Sequence, residues 1–572
     1  MSDDTPGRTT RLGRAAAMVA LAGACARPAT PPPQPASPGS DAARIAAEAK
    51  LNAVRPATRA ERTGYRETSR YADVVAFLDS LGALGAVHVD TLGTTTEGRA
   101  IPLVVASRPL VRTPDAARAT GKPIVYVQGN IHAGEVEGKE ALQMLLRDLT
   151  RAPAANVLDS IVLVAVPIYN ADGNEHVGPQ ERQRSEQNGP ELVGQRPNAQ
   201  GLDLNRDYTK AEAPETRASL AAFARWDPDV FVDLHTTDGS YHGYALTWSP
   251  SLHPSAPLGA FTRDTLLPEL QRRVQQRHEV ATFPYGNFAT EYGADVNTDT
   301  TKQGWFTYDH RARFGTNYVG LRGRVSVLSE AYSHDPFERR VRSTYAFVRE
   351  LLSLVAEPVW GVSARTRRGG VPGDTLVALR ARLTPRGELR PVIAEDLART
   401  GDSTRTQPGV PRGLRRTGHF RTVSIPVHDR FDATLVRALP AGGWAIDARG
   451  GAAADTALAL LRRHGVRVER LTAARDAGVE TFRVDSVVVA ARPFQGHRET
   501  RLDGRWSAGR RRFDAGTWLV PADQPLARVA AVLLEPESDD GLAAWQLLAA
   551  PAPGAEWLVL RLSTRGGAGI TR

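Results

Sequence analysis

Cysteine is nearly absent from this chain, because Cys25 is the only one among its 572 residues. A single thiol cannot form an intramolecular disulfide in any compartment, so packing and polar contacts must hold the fold together. Long apolar runs are missing as well. The run near the amino terminus, AAAMVALAGA, is shorter than the roughly 20 apolar residues that a membrane-spanning helix needs. No internal repeat of fixed period is present.

Lysine is scarce, so the formal net charge of +9 and the pI near 9.8 come almost wholly from arginine. No arginine-rich block is interleaved with aromatic residues, and we therefore expect no nucleic-acid partner. The hydrophobic content of 41% over this length predicts a globular protein with several domains and sizeable cores.

The amino terminus is typical of an export signal, since the basic segment RTTRLGR precedes the apolar run that ends at Cys25. The residues before Cys25 resemble a bacterial lipobox, although Ala22 stands where leucine is more usual. This resemblance implies a signal peptide over residues 1–25 and a lipid anchor at Cys25 that faces the periplasm. Ala26, rather than aspartate, follows Cys25, which favours the outer membrane over the inner one. The alternative is an ordinary cleaved signal with an unrelated cysteine.

Three segments follow the signal. Residues 26–62 begin with ARPATPPPQPASPGSDA, which predicts an extended tether because it holds no core-forming side chains. Residues 63–357 alternate buried strand patterns with amphipathic helix patterns, as an α/β sheet flanked by helices requires. Residues 358–572 show alternating strand patterns and one strand-helix-strand segment, with Gly465 ending its helix. They predict a mixed or β-rich domain with a small βαβ unit.

The first chemical motif lies at a strand-to-helix junction. PIVYVQGN predicts a buried strand and is followed by apolar residues at helical spacing, with His132 and Glu135 between the two elements. Catalytic zinc takes three histidine or carboxylate ligands and keeps a fourth position open, so this pair supplies two of the three. Taken alone, the motif also fits the start of a surface helix, where the helix dipole favours Glu135.

Three later stretches place polar residues where predicted buried strands end or turn. GLDLNRDYTK carries Asp203, Asn205 and Arg206, DVFVDLHTTDG carries His235, and VSVLSEAYSHDPFERR carries Glu330. This order resembles the zinc metallocarboxypeptidase family, the M14 type, over about half of the chain. The family's fold, a mixed twisted sheet flanked by helices, is therefore the expected fold of this part.

The resemblance implies a metal site and a base. His132, Glu135 and His235 would bind one zinc ion per chain, and Asp203 would accept a hydrogen bond from the His132 imidazole. Glu330 would act as the general base, taking a proton from the attacking water and passing it to the leaving amine.

The resemblance also implies substrate contacts. Asn205 and Arg206 would bind the substrate's terminal carboxylate, because arginine offers a planar fork that lysine cannot copy. An arginine should stabilise the oxyanion, and we assign Arg196. Arg184 and Arg182 are alternatives, because the insert ERQRSEQNGPELVGQ makes the alignment ambiguous here.

The family carries a mobile tyrosine that closes over bound substrate. We assign this role to Tyr318, although it lies nearer to Glu330 in sequence than the family spacing suggests. Tyr332 is a second candidate, and a core or hairpin aromatic is the structural alternative for Tyr318.

The sequence as a whole predicts an exported zinc carboxypeptidase that hydrolyses the C-terminal peptide bond of peptides or proteins. Two alternatives remain open. One is a carboxypeptidase or amidase that acts on the stem peptides of the cell wall, and the other is an inactive peptide-binding lipoprotein. The sequence does not determine the preferred terminal side chain or the oligomeric state.

Overall fold

The computed structural model describes residues 56–152, 154–288, 304–368, 375–401, 410, 413–447, 450–563 and 570–571. Within these ranges, no helix combines the length and the hydropathy that a membrane span requires. The predicted signal peptide, Cys25 and most of the predicted tether lie outside the described residues, so lipid attachment remains a prediction.

Twelve strands in the described residues precede the long helix that ends at Ala356. They are β1 (His88–Thr94), β2 (Ala100–Ala106), β3 (Ile124–Gly129), β4 (Val162–Val166), β5 (Gly178–Pro179), β6 (Leu192–Val193), β7 (Val230–Thr236), β8 (Leu246–Pro250), β9 (Thr282–Pro284), β10 (Asn287–Phe288), β11 (Trp305–Phe306) and β12 (Val325–Ala331).

Eight of these strands form one mixed sheet in the order β1-β2-β4-β3-β7-β12-β8-β9. The central strands β4, β3, β7 and β12 run parallel and are buried along their whole length. Their apolar, largely β-branched sequences suit a sheet that is covered on both faces. Their carboxyl ends share one edge, which is where open α/β sheets place ligand sites.

The helices of this part are α1 (Arg59–Arg62), α2 (Tyr71–Ala83), α3 (Pro114–Ala119), α4 (Glu137–Arg151), α5 (Ala171–Glu175), α6 (Gln180–Gln183), α7 (Pro214–Trp226), α8 (Gly259–Phe261), α9 (Leu267–His278), α10 (Gly315–Leu321), α11 (Phe337–Ala356) and α12 (Val362–Arg368). Alternate β3 residues pack into different cores. Tyr126 joins the cluster that contains α7, whereas Val125 and Val127 join the cluster that contains α2, α4, α9 and α11.

The C-terminal part is rich in strands. It contains β13 (Leu376–Thr384), β14 (Leu389–Arg399), β15 (Leu414–His428), β16 (Arg430–Ala438), β17 (Trp444–Ile446), β18 (Glu469–Leu471), β19 (Arg475–Val489), β20 (Thr500–Phe513), β21 (Trp518–Val520), β22 (Val559–Leu562) and β23 (Ile570–Thr571), with helices α13 (Ala452–Arg463) and α14 (Ala527–Leu534). Seven of these strands form a sheet in the order β20-β19-β22-β17-β21-β18-β23. The predicted fold class, a mixed α/β sheet followed by a β-rich part, is confirmed.

The predicted strand-helix-strand segment forms β17, α13 and β18. The helix ends at Arg463, two residues before Gly465, which has φ +76°. The two strands are not neighbours, because β21 lies between them and pairs antiparallel with both.

The two parts share a sheet and a core. Strand β11 pairs with β15, so residues on either side of position 358 belong to one sheet. One hydrophobic cluster likewise contains Phe223 and Tyr318 from the first part and Trp444 and Leu461 from the second. The predicted domain boundaries remain predictions, and the contacts across residue 358 are extensive.

Candidate metal centre

Three strand ends bring the predicted residues together. Beyond β3 the chain turns through Asn130, whose φ of +65° is one that asparagine tolerates better than most residues. The Asn130 amide donates to the carbonyls of Ala133 and Glu135, each at 3.2 Å, and so shapes the loop that carries His132. On the neighbouring strands, His235 of β7 lies opposite Glu330 of β12 in the register.

His132, Glu135 and His235 form a compact cluster of buried donors. One potential ligand atom from each residue lies within 4.8 Å of the others. The Nδ1 atom of His132 lies 2.9 Å from Glu135 Oε1, and the Nδ1 atom of His235 lies 2.9 Å from Glu135 Oε2. All three side chains are nearly inaccessible to solvent. Both imidazoles therefore present the same ring nitrogen to a single point.

A carboxylate contacts the outer nitrogen of each imidazole. His132 Nε2 lies 2.9 Å from Asp203 Oδ1, and His235 Nε2 lies 3.1 Å from Asp233 Oδ2. A carboxylate that hydrogen-bonds to the outer nitrogen, as Asp203 does for His132, holds the ring orientation, keeps the proton on the outer nitrogen and leaves the inner one free to act as a ligand.

Asp233 is absent from the sequence-based assignment, which contained only Asp203. A signal was available in the sequence, because Asp233 and His235 are two residues apart on a predicted strand and must share a face. The Gln128 amide donates to Asp233 Oδ1 at 3.0 Å and holds it in place.

Two of the three candidate arginines reach the cluster. Arg196 forms an ion pair with Asp203 at 3.0 Å and has its Nη1 3.4 Å from Glu135 Oε1. Arg184 has Nη1 3.1 Å from the same oxygen, and its Nη2 donates to the Thr236 and Thr237 carbonyls. Arg182 is exposed, and no contact places it in the cluster.

These cations determine the charge state of Asp203. Burial alone would raise the pKa of its carboxyl, but the hydrogen bond with His132 and the charges of Arg196 and Arg206 outweigh this effect and hold the pKa well below its usual range. Asp203 is therefore a carboxylate at neutral pH, as a hydrogen-bond acceptor for His132 must be.

Asn205 and Arg206 lie on a short turn beside the cluster. The Asn205 side chain accepts a hydrogen bond from the Gly315 amide at 2.9 Å, and its Nδ2 lies 3.4 Å from His235 Nε2. The Arg206 guanidinium stacks 4.1 Å from the centre of the Phe314 ring and is 3.9 Å from Asp203 Oδ2. It remains 22% exposed, so part of its donor fork faces solvent.

Glu330 is a buried carboxyl group at the end of β12. Burial raises its pKa well above the usual value, and the nearby Glu135 and Asp238 charges add to this effect while His235 and Arg184 oppose it. Among the described residues, Oε2 of Glu330 has no hydrogen-bond partner. Such an oxygen is available to a molecule that enters the site.

The donor set fits zinc. Two imidazole nitrogens and one carboxylate, all from buried side chains with anchored outer atoms, match the ligands that catalytic zinc takes in hydrolases. Calcium and magnesium prefer sites built from oxygen atoms alone.

Comparison with known proteins identifies this part of the chain. Residues 74–318 match the family model of Peptidase_M14, described as zinc carboxypeptidase. This domain belongs to the M14 zinc carboxypeptidase family. His132, Glu135, Asp203, Arg206 and His235 lie within the matched residues, whereas Glu330 lies beyond them.

Carboxypeptidases also resemble the chain over most of its length. It is 23% identical over 490 residues to carboxypeptidase 2 of Trichophyton equinum, an alignment that covers 82% of this chain and 81% of the relative. The corresponding protein of Trichophyton tonsurans is 23% identical over 486 residues, with coverages of 79% and 78%. A crystal structure of a metallo-carboxypeptidase from Burkholderia cenocepacia matches with 19% identity and a TM-score of 0.38, covering 50% of this chain and 69% of that one. The similarity to the two Trichophyton carboxypeptidases extends beyond residue 318.

One assignment within the carboxypeptidase domain conflicts with the structure. Tyr318 is completely buried in α10, and its hydroxyl lies 2.7 Å from Nδ1 of His464 in the C-terminal part. A side chain fixed in a core cannot swing over a substrate, so Tyr318 is a core residue. Tyr332 is also buried, with its ring 4.3 Å from that of His242.

Two other tyrosines lie near Glu330. The Tyr308 ring is partly exposed and packs edge-on against Tyr285 at 5.8 Å. Burial raises the pKa of both phenols, and the Glu330 charge adds to the effect. Tyr308 could not be singled out from the sequence, because the segment before it, 289–303, carries no recognisable motif.

Proposed function

We propose that the chain is a zinc-dependent carboxypeptidase that removes single residues from the C-termini of peptides. The observation that carries this proposal is the convergence of His132, Glu135 and His235 beside Glu330, whose Oε2 has no hydrogen-bond partner among the described residues. A peptide-binding protein would have no use for a buried acid next to a metal site.

His132 and His235 would hold the zinc through Nδ1, and Glu135 would supply a carboxylate oxygen. When bound, the ion would supply Lewis acidity, polarising the scissile carbonyl and lowering the pKa of a water molecule. Asp203 and Asp233 would keep the two imidazoles in the orientation that this requires.

Glu330 is the group proposed to move the proton. Its neighbour across the register is His235, so its carboxyl reaches the same space as the metal ligands. The base takes a proton from the attacking water and delivers it to the leaving amine, which restores its own charge state.

Arg196 and Arg206 would bind the two negative charges of the reacting substrate. Arg196 is 35% exposed and keeps one nitrogen near Glu135, so we assign it to the developing oxyanion. Arg184 is less suited, because its Nη2 is committed to two carbonyls and its side chain is 5% exposed. Asn205 and Arg206 would bind the terminal carboxylate and thereby restrict cleavage to the last residue.

Paired substrates test the proposal. Purified protein loaded with zinc is mixed with a blocked tripeptide that has a free C-terminus and with its C-terminal amide, and release of the last residue is followed by mass spectrometry. We expect release from the free acid alone, loss of this activity with a chelator, and recovery when zinc is added back.

Other outcomes would redirect or reject the proposal. Preference for a cell-wall stem peptide that ends in a D-residue would move the substrate class to peptidoglycan. Tight binding of both tripeptides without turnover would indicate an inactive binding protein.

A further inference from the structure

The C-terminal part reaches the metal centre through one tight turn. Strands β19 and β20 continue into a short loop whose tip is Phe494-Gln495-Gly496-His497. Phe494 N donates to the His497 carbonyl at 2.7 Å, and His497 N donates to the Phe494 carbonyl at 3.0 Å. These two bonds close a two-residue turn with Gln495 and Gly496 at its centre.

Both central residues have positive φ, +49° for Gln495 and +80° for Gly496. Two-residue turns of this kind strongly prefer Asn-Gly or Asp-Gly, because few side chains tolerate the left-handed region. Glutamine therefore carries a conformational cost here. A residue kept at a strained position indicates that its side chain has another role.

The side chain of Gln495 contacts the turn that carries Asp203. Its Oε1 accepts the Asp203 backbone N–H at 2.8 Å, across a separation of 292 residues. The same Asp203 accepts the Asn205 N–H with its side chain and lies 2.9 Å from His132 Nε2. One hydrogen bond thus connects the C-terminal part to the residues that orient His132 and carry Arg206.

Further contacts hold the loop against the carboxypeptidase domain. His497 Nε2 lies 2.9 Å from Glu212, and Glu499 accepts from Arg313 at 2.6 Å. The Phe494 ring lies 6.2 Å from the Trp545 ring, and Trp545 in turn stacks with Arg313 at 4.0 Å. The tip is therefore held at both flanks of Gln495, which leaves the glutamine little freedom to move away from Asp203.

We propose that Gln495 is a positioning residue of the metal centre, through which the C-terminal part fixes the Asp203–Arg206 turn. This inference rests on the proposed zinc-dependent function. It assigns the C-terminal part a direct contribution to zinc affinity and substrate binding.

Three variants separate positioning from simple support of the fold. Gln495→Asn relieves the turn strain but is one methylene too short to reach Asp203. Gln495→Glu keeps both the length and an acceptor oxygen. Val488→Thr changes an exposed side chain in β19 and serves as the matched control.

Each variant is measured for thermal unfolding of the metal-free protein, for its zinc dissociation constant by chelator competition, and for kcat and KM. For Gln495→Asn we expect an unchanged or higher Tm, zinc binding weakened about 3- to 10-fold and a raised KM. The loss of a residue that hydrogen-bonds to a metal ligand typically weakens metal binding 10- to 100-fold. Gln495 acts one hydrogen bond further from the metal, so its effect should be smaller. Gln495→Glu and Val488→Thr should remain close to the wild type in zinc affinity.

Weaker zinc binding at an unchanged or higher Tm in Gln495→Asn supports the proposal, since the loss of a purely structural contact would lower both together. Wild-type zinc affinity and KM in Gln495→Asn would overturn it. A parallel loss of Tm and zinc affinity in Gln495→Asn and Gln495→Glu alike would also overturn it. If the wild-type protein neither binds zinc nor hydrolyses peptides, the proposed function fails instead, and the two failures are distinguishable.

Discussion

Each imidazole of the candidate metal centre has a carboxylate beside its outer nitrogen, and the two carboxylates come from different elements. Asp203 comes from a turn 71 residues after His132, whereas Asp233 comes from the same strand as His235. A rigid strand holds Asp233 by its own hydrogen bonds, but the turn of Asp203 needs support from elsewhere. The glutamine at position 495 provides this support.

Replacing Glu330 by glutamine should separate binding from chemistry. The amide cannot accept the proton, so kcat should fall by about 10²- to 10⁴-fold, the range that general bases typically contribute. Zinc content should stay at one ion per chain, because Glu330 is not among the three clustered ligands. Stopped assays and elemental analysis measure the two quantities, and loss of zinc in this variant would contradict the assignment.

The substitution Arg206→Lys should chiefly impair substrate capture. Lysine keeps the charge but loses the planar fork and the stacking on Phe314. We expect KM to rise by about tenfold, because the loss of one hydrogen bond to a charged group costs about 1.5 kcal/mol. The change in kcat should be smaller. Arg342→Lys, on the exposed face of α11, is the control. Equal kinetics in both variants would place the carboxylate site elsewhere.

The elements that carry the ligands are in unusually close contact. Gly138 is in the first turn of α4, directly after the ligand loop, and a Cβ built on it would lie 2.7 Å from the Cβ of Leu234 in β7. Since Glu135 precedes α4 and His235 follows Leu234, the distance between these elements sets the distance between the two ligands. The glycine permits the close approach.

Gly138→Ala sets two effects against each other. Alanine should favour the helix by about 1 kcal/mol relative to glycine, whereas an overpacked methyl group costs about 1 to 3 kcal/mol. We expect the clash to prevail, with a lower free energy of unfolding and weaker zinc binding. Urea denaturation and chelator competition measure both. Gly509→Ala in β20, which has open space at its Cβ, should show neither effect.

The element types were largely accessible from the sequence because their signals are local. The runs that became β3, β7 and β12 are apolar and β-branched, and the helix after His132 has its apolar residues at helical spacing. Tyr318 was misassigned because its burial against His464 depends on the distant C-terminal part, which no local pattern shows.

At the scale of the molecule, the two parts are joined by buried polar contacts. His464 is inaccessible to solvent, and its Nε2 lies 3.1 Å from the Thr209 carbonyl, which can only accept. Its proton therefore sits on Nε2, while Nδ1 accepts from the Tyr318 hydroxyl. Burial, helped by the charges of Arg322 and Arg463, lowers the pKa of His464 to about 3.

This histidine should make the protein sensitive to acid. In the unfolded chain its pKa is about 6.5, so the unfolded state gains a proton below that pH and the folded state does not until about pH 3. The stabilisation by neutral His464 is thus complete above about pH 6.5 and decreases by about 1.4 kcal/mol per pH unit below it. His464→Gln should show a shallower loss in urea titrations over this window. An identical pH slope in both proteins would refute the burial argument.

The sequence by itself determined the strand ends, the three ligand types and their order, because each depends on a residue type next to a local apolar pattern. The resemblance to the M14 family followed from that order. Only the tertiary structure decided which arginines reach the ligands, that Asp233 faces His235 Nε2, that Tyr318 belongs to a core, and that Gln495 touches the Asp203 turn. These contacts join side chains up to 292 residues apart, and no local pattern carries the packing that brings such side chains together.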